Sequence, residues 1–195
     1  MTLLLTQLKK LTNINFLGLE LHNKINWKNR VIKILPKLSW ACYAVRVMYP
    51  ISCMNMFKMI YFAYFHSIIN YGIIFGGNST ECKKVFLAQK KIIRIMTGSR
   101  PRTSCKPLFH SLGILTEPSQ YILSLMKFVS QNQERYTPNI EVHNSNTRNT
   151  LKLHKPVSGL TLYQKGVYNM SIRVFNKLPE HVTNLTGNKN FLYRP

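Results

Sequence analysis

Chemistry that depends on a pair of bound metal ions requires several carboxylates close together. This chain contains no aspartate, and its six glutamates are far apart in the sequence. They are Glu20, Glu81, Glu117, Glu134, Glu141 and Glu180. The sequence therefore predicts no catalytic residues, no metal site and no cofactor in this chain.

The cations outnumber the acids by a wide margin. Lysine and arginine make up 27 of the 195 residues, which gives a formal charge of +21 at neutral pH. A protein this basic attracts polyanions, of which nucleic acid is the most common. The densest group of cations lies between residues 83 and 106, and we expect it to contact phosphates without reading the base sequence. Its members are Lys83, Lys84, Lys90, Lys91, Arg94, Arg100, Arg102 and Lys106. The alternative is a solvated helix face, but the uncompensated charge favours binding.

The cysteines do not form a zinc motif. Cys42, Cys53, Cys82 and Cys105 are too far apart for a zinc knuckle or ribbon, whose ligands come in close pairs. The start of the chain lacks the basic segment and cleavage site of a signal peptide. We therefore expect reduced thiols in an intracellular protein, in the nucleus or the cytoplasm and not secreted.

The elements that must position the cations begin with a predicted hairpin. Residues 13–27 alternate loosely between apolar and polar side chains, with Gly18 at a bend, as in two short strands. From residue 28 to residue 48 the apolar residues fall at helical spacing. Pro36 inside this pattern is expected to kink or interrupt the helix. The two tryptophans, Trp27 and Trp40, are predicted to be core residues.

Residues 53–75 are the most apolar part of the chain and are long enough to cross a membrane. Polar residues are nevertheless spread along the segment, and one lysine in the middle of a span costs roughly 2.5–3.5 kcal/mol. They are Asn55, Lys58, His66, Ser67 and Asn70. We therefore predict a central core helix and no membrane span. Its rings Tyr61, Phe62, Tyr64 and Phe65 could stack on bases, but their apolar surroundings favour core packing.

The later elements are also predicted to be helical. Residues 81–96 combine an apolar stripe with the basic group, and Gly98 is expected to cap this helix. A short helix ends at Gly113, and another begins at Glu117-Pro118 and runs to about residue 131. The remaining residues, 132–195, are predicted to be an irregular basic region with one amphipathic stretch at 163–178. The predicted fold class is mainly α, a helical bundle with a short β-hairpin near the N-terminus.

Six blocks of the sequence, taken in order, resemble the C-terminal part of reverse transcriptases from LINE-type (non-LTR) retrotransposons, and in particular the jockey-like elements of insects. The blocks are FLGLELHNKINW (16–27), AYFHSIINYGIIFGGNS (63–79), QKKIIRIMTG (89–98), SCKPLFHSLGILTEPSQYI (104–122), HNSNTRN (143–149) and LYQKGVYNMSIRVFNKLPEHV (162–182). They cover nearly the whole chain from Asn13 onward. Six blocks in a conserved order are more specific than one short motif.

The resemblance implies a division of the chain into three parts. Residues 1–27 would be the end of the palm, with the primer grip at Phe16, Leu17 and Gly18. Residues 28–131 would form the helical thumb and post-thumb bundle, which packs on the template–primer duplex. Residues 132–195 would be a basic C-terminal segment with one terminal helix. The implied partner is RNA or an RNA–DNA hybrid.

The resemblance places the catalytic parts of the family outside this sequence. The fingers and the palm carboxylates that hold magnesium, including the Asp-Asp pair of a Tyr-x-Asp-Asp motif, precede the primer grip. We therefore expect a catalytically incomplete fragment of an RNA-directed DNA polymerase that contacts template–primer through a basic helical surface. The alternative is a basic helical interaction module that uses residues 53–75 at a membrane surface or on a protein partner. A surface that would face the missing palm should be apolar, so we also expect self-association.

Overall fold

The computed structural model describes residues 13–16, 19–22, 28–143 and 152–179. Within these ranges the chain is mainly helical, which confirms the predicted fold class at that level. Two strands, Asn13–Phe16 (β1) and Leu19–His22 (β2), pair antiparallel with Asn13 opposite His22. The α-helices that follow are Lys28–Met48 (α1), Met54–Ile60 (α2), Ser67–Asn70 (α3), Ile73–Gly76 (α4), Cys82–Met96 (α5), Lys106–Leu112 (α6), Glu117–Gln131 (α7), Asn139–His143 (α8), Thr161–Gln164 (α9) and Val167–Phe175 (α10). A π-helical turn spans Tyr61–His66, and a 3₁₀ turn spans Gln133–Arg135.

The chain divides into two compact units, with the boundary between Gln120 and Tyr121. Helices α1 and α5 pack against each other at the centre of the first unit. The buried residues of α1 are Val31, Leu38, Ala41, Cys42 and Val45, and those of α5 include Val85, Ile92, Ile93 and Met96. Most members of each set are three, four or seven positions apart, which is the spacing of one helix face. The apolar periodicity therefore predicts the buried face of α1, whereas on α5 it predicts Val85 and Ile92 correctly but also includes Ala88 and Ile95, which are half-buried.

Helix α1 continues through Pro36, so of the predicted kink or interruption, the interruption is wrong. Proline lacks the N–H that would bond to the carbonyl four residues earlier. Pro36 lies on the exposed side of the helix, where the carbonyl that loses its donor can bond to water. The loss of one hydrogen bond at a solvated position does not end a helix that buries its opposite face.

The apolar segment 53–75 supplies the second layer of this core, but it is not one helix. Its buried residues are four apart: Phe57, Tyr61, Phe65, Ile69 and Ile73. In an α-helix a step of four residues drifts by about 40° around the axis, so such a stripe would wind off the buried side. The wider turn of the π-helix reduces that drift. The segment then breaks after Asn70, where Tyr71 is extended and Gly72 is left-handed.

One fully buried polar side chain joins three segments of the first unit. Gln89 of α5 is 2% exposed. Its Nε2 donates to Tyr61 Oη at 2.8 Å and to the Leu115 carbonyl at 2.9 Å, and its Oε1 accepts the Glu117 backbone N–H at 2.8 Å. Both amide donors and one acceptor position are therefore used. The predicted apolar stripe did not include this residue.

The second unit is held together by polar contacts of its last helix. Tyr136 stacks on Tyr168 with ring centroids 5.0 Å apart, and its hydroxyl lies 2.8 Å from Ser171 Oγ. The Asn176 amide accepts the Leu153 N–H and donates to the Leu153 carbonyl, both at 2.9 Å. Tyr168, Ser171 and Asn176 lie within residues 162–182, and these contacts explain why the residues are polar.

The amphipathic stretch predicted at 163–178 is divided in the structure. Gly166 adopts an extended conformation between α9 and α10 and forms the N-cap of α10. The irregular region before it contains α8 and one antiparallel bridge between Pro138 and Leu153.

Helix α1 has a second apolar face, on the side opposite its core residues. The large side chains on it are Ile32, Trp40, Tyr43 and Val47, with exposed fractions of 53%, 62%, 63% and 56%. The prediction that Trp40 lies in the core is therefore wrong, while Trp27 falls outside the described residues. Core packing is confirmed for Tyr61 and Phe65, but Phe62 and Tyr64 are 44% and 36% exposed. The Trp40 ring contacts Tyr64, with centroids 5.7 Å apart.

Replacing Trp40 and Tyr43 with serine should reduce self-association of the chain, because an exposed apolar face of this size drives association in water. Sedimentation velocity measures the effect. Leu87→Ser is the control, since Leu87 on α5 is as exposed as Trp40, at 62%, but stands outside this face. A wild-type chain that sediments as a monomer, or an equal effect of the control, would contradict the prediction.

Replacing Gln89 with leucine should destabilise the first unit by about 3 kcal/mol, because buried polar groups of Tyr61, Leu115 and Glu117 lose their partner. Tyr61→Phe removes only one of these bonds and should cost about 1 kcal/mol. Urea unfolding followed by circular dichroism measures both values. A smaller loss for Gln89→Leu than for Tyr61→Phe would show that the amide does not join these segments.

Candidate nucleic-acid interface

Helix α5 places its cations outside its buried face. Lys83, Lys84 and Lys91 are exposed, and Lys90 and Arg94 are half-buried. Seven residues make nearly two helical turns, so Lys83 lies in line with Lys90, and Lys84 with Lys91. The basic group predicted on this helix is therefore one continuous surface.

Two of these lysines contact side chains of their own helix. Lys84 Nζ lies 2.7 Å from Glu81 Oε2, an exposed ion pair of a kind that contributes little to stability. Lys90 Nζ lies 4.3 Å from the centroid of the Phe86 ring, a favourable cation–π distance. Phe86 in turn stacks on Phe109 of α6. Glu81 therefore partly neutralises Lys84, whereas Lys90 keeps its full charge above an aromatic ring.

The end of α5 has a defined geometry. Gly98 has a φ of 62°, the left-handed conformation that glycine adopts most easily. The Ser99 N–H donates to the Arg94 carbonyl at 2.9 Å, and the Gly98 N–H donates to the Ile95 carbonyl at 3.2 Å. This pair of bonds is a Schellman motif. The prediction that Gly98 caps the helix is confirmed.

Two hydrogen bonds connect α5 to the loop after the cap and the residue before α6. Arg94 Nε donates to the Thr103 carbonyl at 2.9 Å, and the buried Cys105 thiol donates to the Lys90 carbonyl at 3.7 Å. The three predicted cations of this loop and of the start of α6 are all exposed. They are Arg100, Arg102 and Lys106.

A pocket of about 560 Å³ lies beside this surface. Arg46 from the last turn of α1 lines it together with Lys91 and Arg94 of α5. Tyr49 and Ile95 provide apolar walls. None of the glutamates among the described residues lines the pocket. The C-terminal ends of α1 and α5 therefore meet at a cationic site.

The sum of charges at this pocket is positive. Each helix C-terminus carries about half a negative charge, so the ends of α1 and α5 together contribute about −1. The three cations contribute +3, which leaves about +2. The positive charge of the three cations therefore exceeds the negative charge of the two helix ends, and the site attracts anions.

The structure places two of the predicted site residues at the pocket, together with one arginine outside the predicted set. Lys91 and Arg94 line the pocket, while Lys83 and Lys84 lie on the same helix outside it. Arg46 was not predicted. It follows Cys42 and Val45 of the buried stripe, a signal that it borders a packed neighbour, but the sequence does not indicate which helix that neighbour is. Of the predicted primer grip, Phe16 lies in β1, and Leu17 and Gly18 fall outside the described residues.

A buried acid lies elsewhere in the first unit. Glu117 is 3% exposed, and burial raises the pKa of its carboxyl to about 7 against a smaller, lowering contribution from the hydrogen bond with Cys82. Burial, and next the charge of Glu117, raises the pKa of the Cys82 thiol to about 12. Both side chains line a small cavity of about 30 Å³ with Arg30. Glu117 does not line the cationic pocket.

In the part of the chain that the structure describes, no three His, Cys or Glu side chains form a group that could hold a metal ion. None of the helices described is both long enough and apolar enough to cross a membrane. Comparisons with protein-family models, with curated proteins and with solved structures found no match to this chain.

Glu117→Gln should change how stability depends on pH. The pKa of Glu117 in the folded chain, about 7, exceeds the value of about 4.3 expected in the unfolded chain. Protonation therefore favours the fold, and this contribution is complete below about pH 4.3 and is lost as the pH rises to about 7. The loss is on the order of 3 kcal/mol.

Urea unfolding of the wild type and the variant from pH 4 to pH 8.5 measures the difference. We expect Glu117→Gln to gain stability relative to the wild type as the pH rises through this window. Glu141→Gln, at an exposed position, is the control and should show no such trend. Parallel stability curves for the wild type and Glu117→Gln would rule out a raised pKa at this site.

Proposed function

We propose that this chain is the primer-grip, thumb and post-thumb part of a non-LTR retrotransposon reverse transcriptase, acting inside the cell in the nucleus or the cytoplasm. In this proposal it binds the phosphate backbone of RNA or of an RNA–DNA hybrid through the surface around α5. The supporting observation is the convergence of Arg46, Lys91 and Arg94 from two helices on one pocket, with no described glutamate in its lining.

The attraction between this surface and a phosphate backbone is electrostatic. A phosphate backbone is a continuous polyanion, and cations that neutralise it release bound counterions, which favours binding at low salt. The exposed cations Arg100, Arg102 and Lys106 extend the charge from the end of α5 along the next loop. Only one ion pair, between Lys84 and Glu81, neutralises a cation of this surface among the pairs described. The surface suits contacts with phosphates more than contacts with base edges.

The family assignment is supported by the six ordered blocks and by the mainly helical fold. In the proposed assignment, the hairpin of β1 and β2 corresponds to the primer-grip region, where Phe16 ends the first strand. The α1–α5 bundle corresponds to the thumb. The chain would then meet template–primer on the side where α5 presents its cations.

The proposal includes no polymerase activity for this chain. A polymerase of this family uses magnesium held by palm aspartates, and this sequence has no aspartate. Of its glutamates, Glu117 is buried beside Cys82 and Glu81 pairs with Lys84. These residues do not fit a magnesium site. Primer extension by the purified chain would overturn this part of the proposal.

Binding to a fluorescein-labelled RNA–DNA hybrid, followed by anisotropy between 50 and 300 mM KCl, tests the proposal. The affinity should fall steeply with salt, and the triple variant Lys91→Ala, Arg100→Ala, Arg102→Ala should bind more weakly. If each of these residues contacts one phosphate, the slope of log K against log salt should decrease by about 0.9 per contact.

The matched control is the triple variant Lys152→Ala, Lys155→Ala, Lys177→Ala. It removes the same charge at exposed positions in the second unit. Its binding slope should stay close to that of the wild type. Binding that is indifferent to salt, or an equal loss in both triple variants, would count against a site around α5.

A second candidate function is favoured by the outer face of α1. Its exposed apolar residues are flanked by Lys33 and Lys37, a combination that also suits an anionic membrane surface or a protein partner. Co-sedimentation with liposomes distinguishes the two functions. Strong binding to neutral phosphatidylcholine vesicles, with weak binding to the hybrid, would favour this interaction module over the nucleic-acid fragment.

A further inference from the structure

The pocket at the joined ends of α1 and α5 has two chemically different sides. Arg46, Lys91 and Arg94 supply cations, and Tyr49, Pro50 and Ile95 supply apolar walls. Its volume of about 560 Å³ falls within the range of pockets that hold small ligands. A surface that only followed a phosphate backbone would not require an apolar wall beside its cations. The combination suits a ligand with an anionic end and a flat apolar end.

The aromatic wall is held in place by the fold. The Tyr49 ring stacks on Phe57, with centroids 5.7 Å apart and an angle of 8° between the planes. The hydroxyl of Tyr49 lies against Gly98, so closely that any β-carbon at position 98 would collide with it. Glycine at position 98 therefore suits both the positive φ of 62° and this close approach. An aromatic side chain that is already positioned in the free protein reduces the entropy lost on binding.

The charge of the pocket selects the anionic end. The three cations and the two helix C-termini sum to about +2. A phosphate monoester carries about −1.5 to −2 at neutral pH, whereas each internal phosphodiester of a strand carries −1. The pocket therefore matches a terminal phosphate in charge better than it matches one internal phosphate. Two arginines and a lysine are also the side chains that bind phosphate oxygens best.

We propose that this pocket binds one nucleotide with a terminal phosphate, either a free nucleoside monophosphate or the phosphorylated end of a strand. The phosphate lies against Arg46, Lys91 and Arg94, and the base lies against the Tyr49 ring. The choice of a nucleotide as the ligand class rests on the proposed function. The site adjoins the open basic surface of Lys83, Lys84 and the loop arginines, and Lys91 belongs to both.

Isothermal titration calorimetry of the full chain with AMP, adenosine and inorganic phosphate tests the proposal. AMP should bind at least fivefold more tightly than either inorganic phosphate or adenosine, because only AMP uses both sides of the pocket. Arg46→Ala should weaken AMP binding at least tenfold, and Tyr49→Ala at least fivefold. Lys37→Ala, on the same helix and with the same charge change, is the control and should stay within twofold of the wild type.

Thermal melting of each variant shows whether it folds. Arg46 is exposed, so Arg46→Ala should melt like the wild type even if Tyr49→Ala does not. AMP binding no tighter than phosphate binding, or an equal effect of Arg46→Ala and Lys37→Ala, would overturn the proposal.

The two proposals fail in different ways. A chain that binds a 5′-hydroxyl RNA–DNA hybrid but not AMP refutes the nucleotide pocket and leaves the proposed function standing. A chain that binds AMP as expected but not the hybrid supports the pocket and refutes the proposed function. A further experiment tests whether the site accepts the end of a strand. A 5′-phosphorylated oligonucleotide should displace AMP more effectively than its 5′-hydroxyl form. Displacement by neither form would restrict the site to free mononucleotides, and equal displacement by both forms would refute the selection of a terminal phosphate.

Discussion

The first unit depends on the hydrogen bonds of one buried amide. A glutamine in an apolar core is costly unless its polar atoms are bonded, and Gln89 meets this condition only when three segments arrive together. The Tyr61 hydroxyl comes from the π-helical turn, the Leu115 carbonyl from the segment just before α7, and the Glu117 N–H from the first residue of α7. Apolar contacts tolerate small displacements, whereas these bonds require defined distances. The amide therefore sets how the apolar layers meet α5, which also carries the basic surface.

The position of the cationic site follows from that packing. Helix α5 must turn Val85, Ile92 and their neighbours towards the core, so its lysines face outward. Helix α1 packs beside α5 with its end at the same place, which adds Arg46 to Lys91 and Arg94. Three cations so close together repel each other, and the two helix C-termini offset only part of that repulsion. A bound anion would offset the rest, which is the physical basis of both proposals.

Helix α1 exposes a second apolar face, on the side opposite its core residues. A helix that buries one side and exposes Trp40 and Tyr43 on the other has the composition of an element between two layers. In the proposed assignment, the palm of the polymerase would cover such a face. The same face favours the interaction module as the second candidate. The charge of +21 opposes pairing with another copy of this chain, so the apolar area and the repulsion act against each other.

The sequence by itself determined the helical class, the buried face of α1, and the caps at Gly98 and Gly113, because periodicity and glycine conformation are local properties of the chain. It also determined the charge and the absence of aspartate, which limit the chemistry whatever the fold. Only the tertiary structure decided that Gln89 is buried, that Trp40 is exposed, and that Arg46 joins the cations of α5. Each of these depends on which helix lies beside which, and burial and charge clustering arise from neighbours distant in sequence. Periodicity shows that a face is buried but does not identify the residues that cover it.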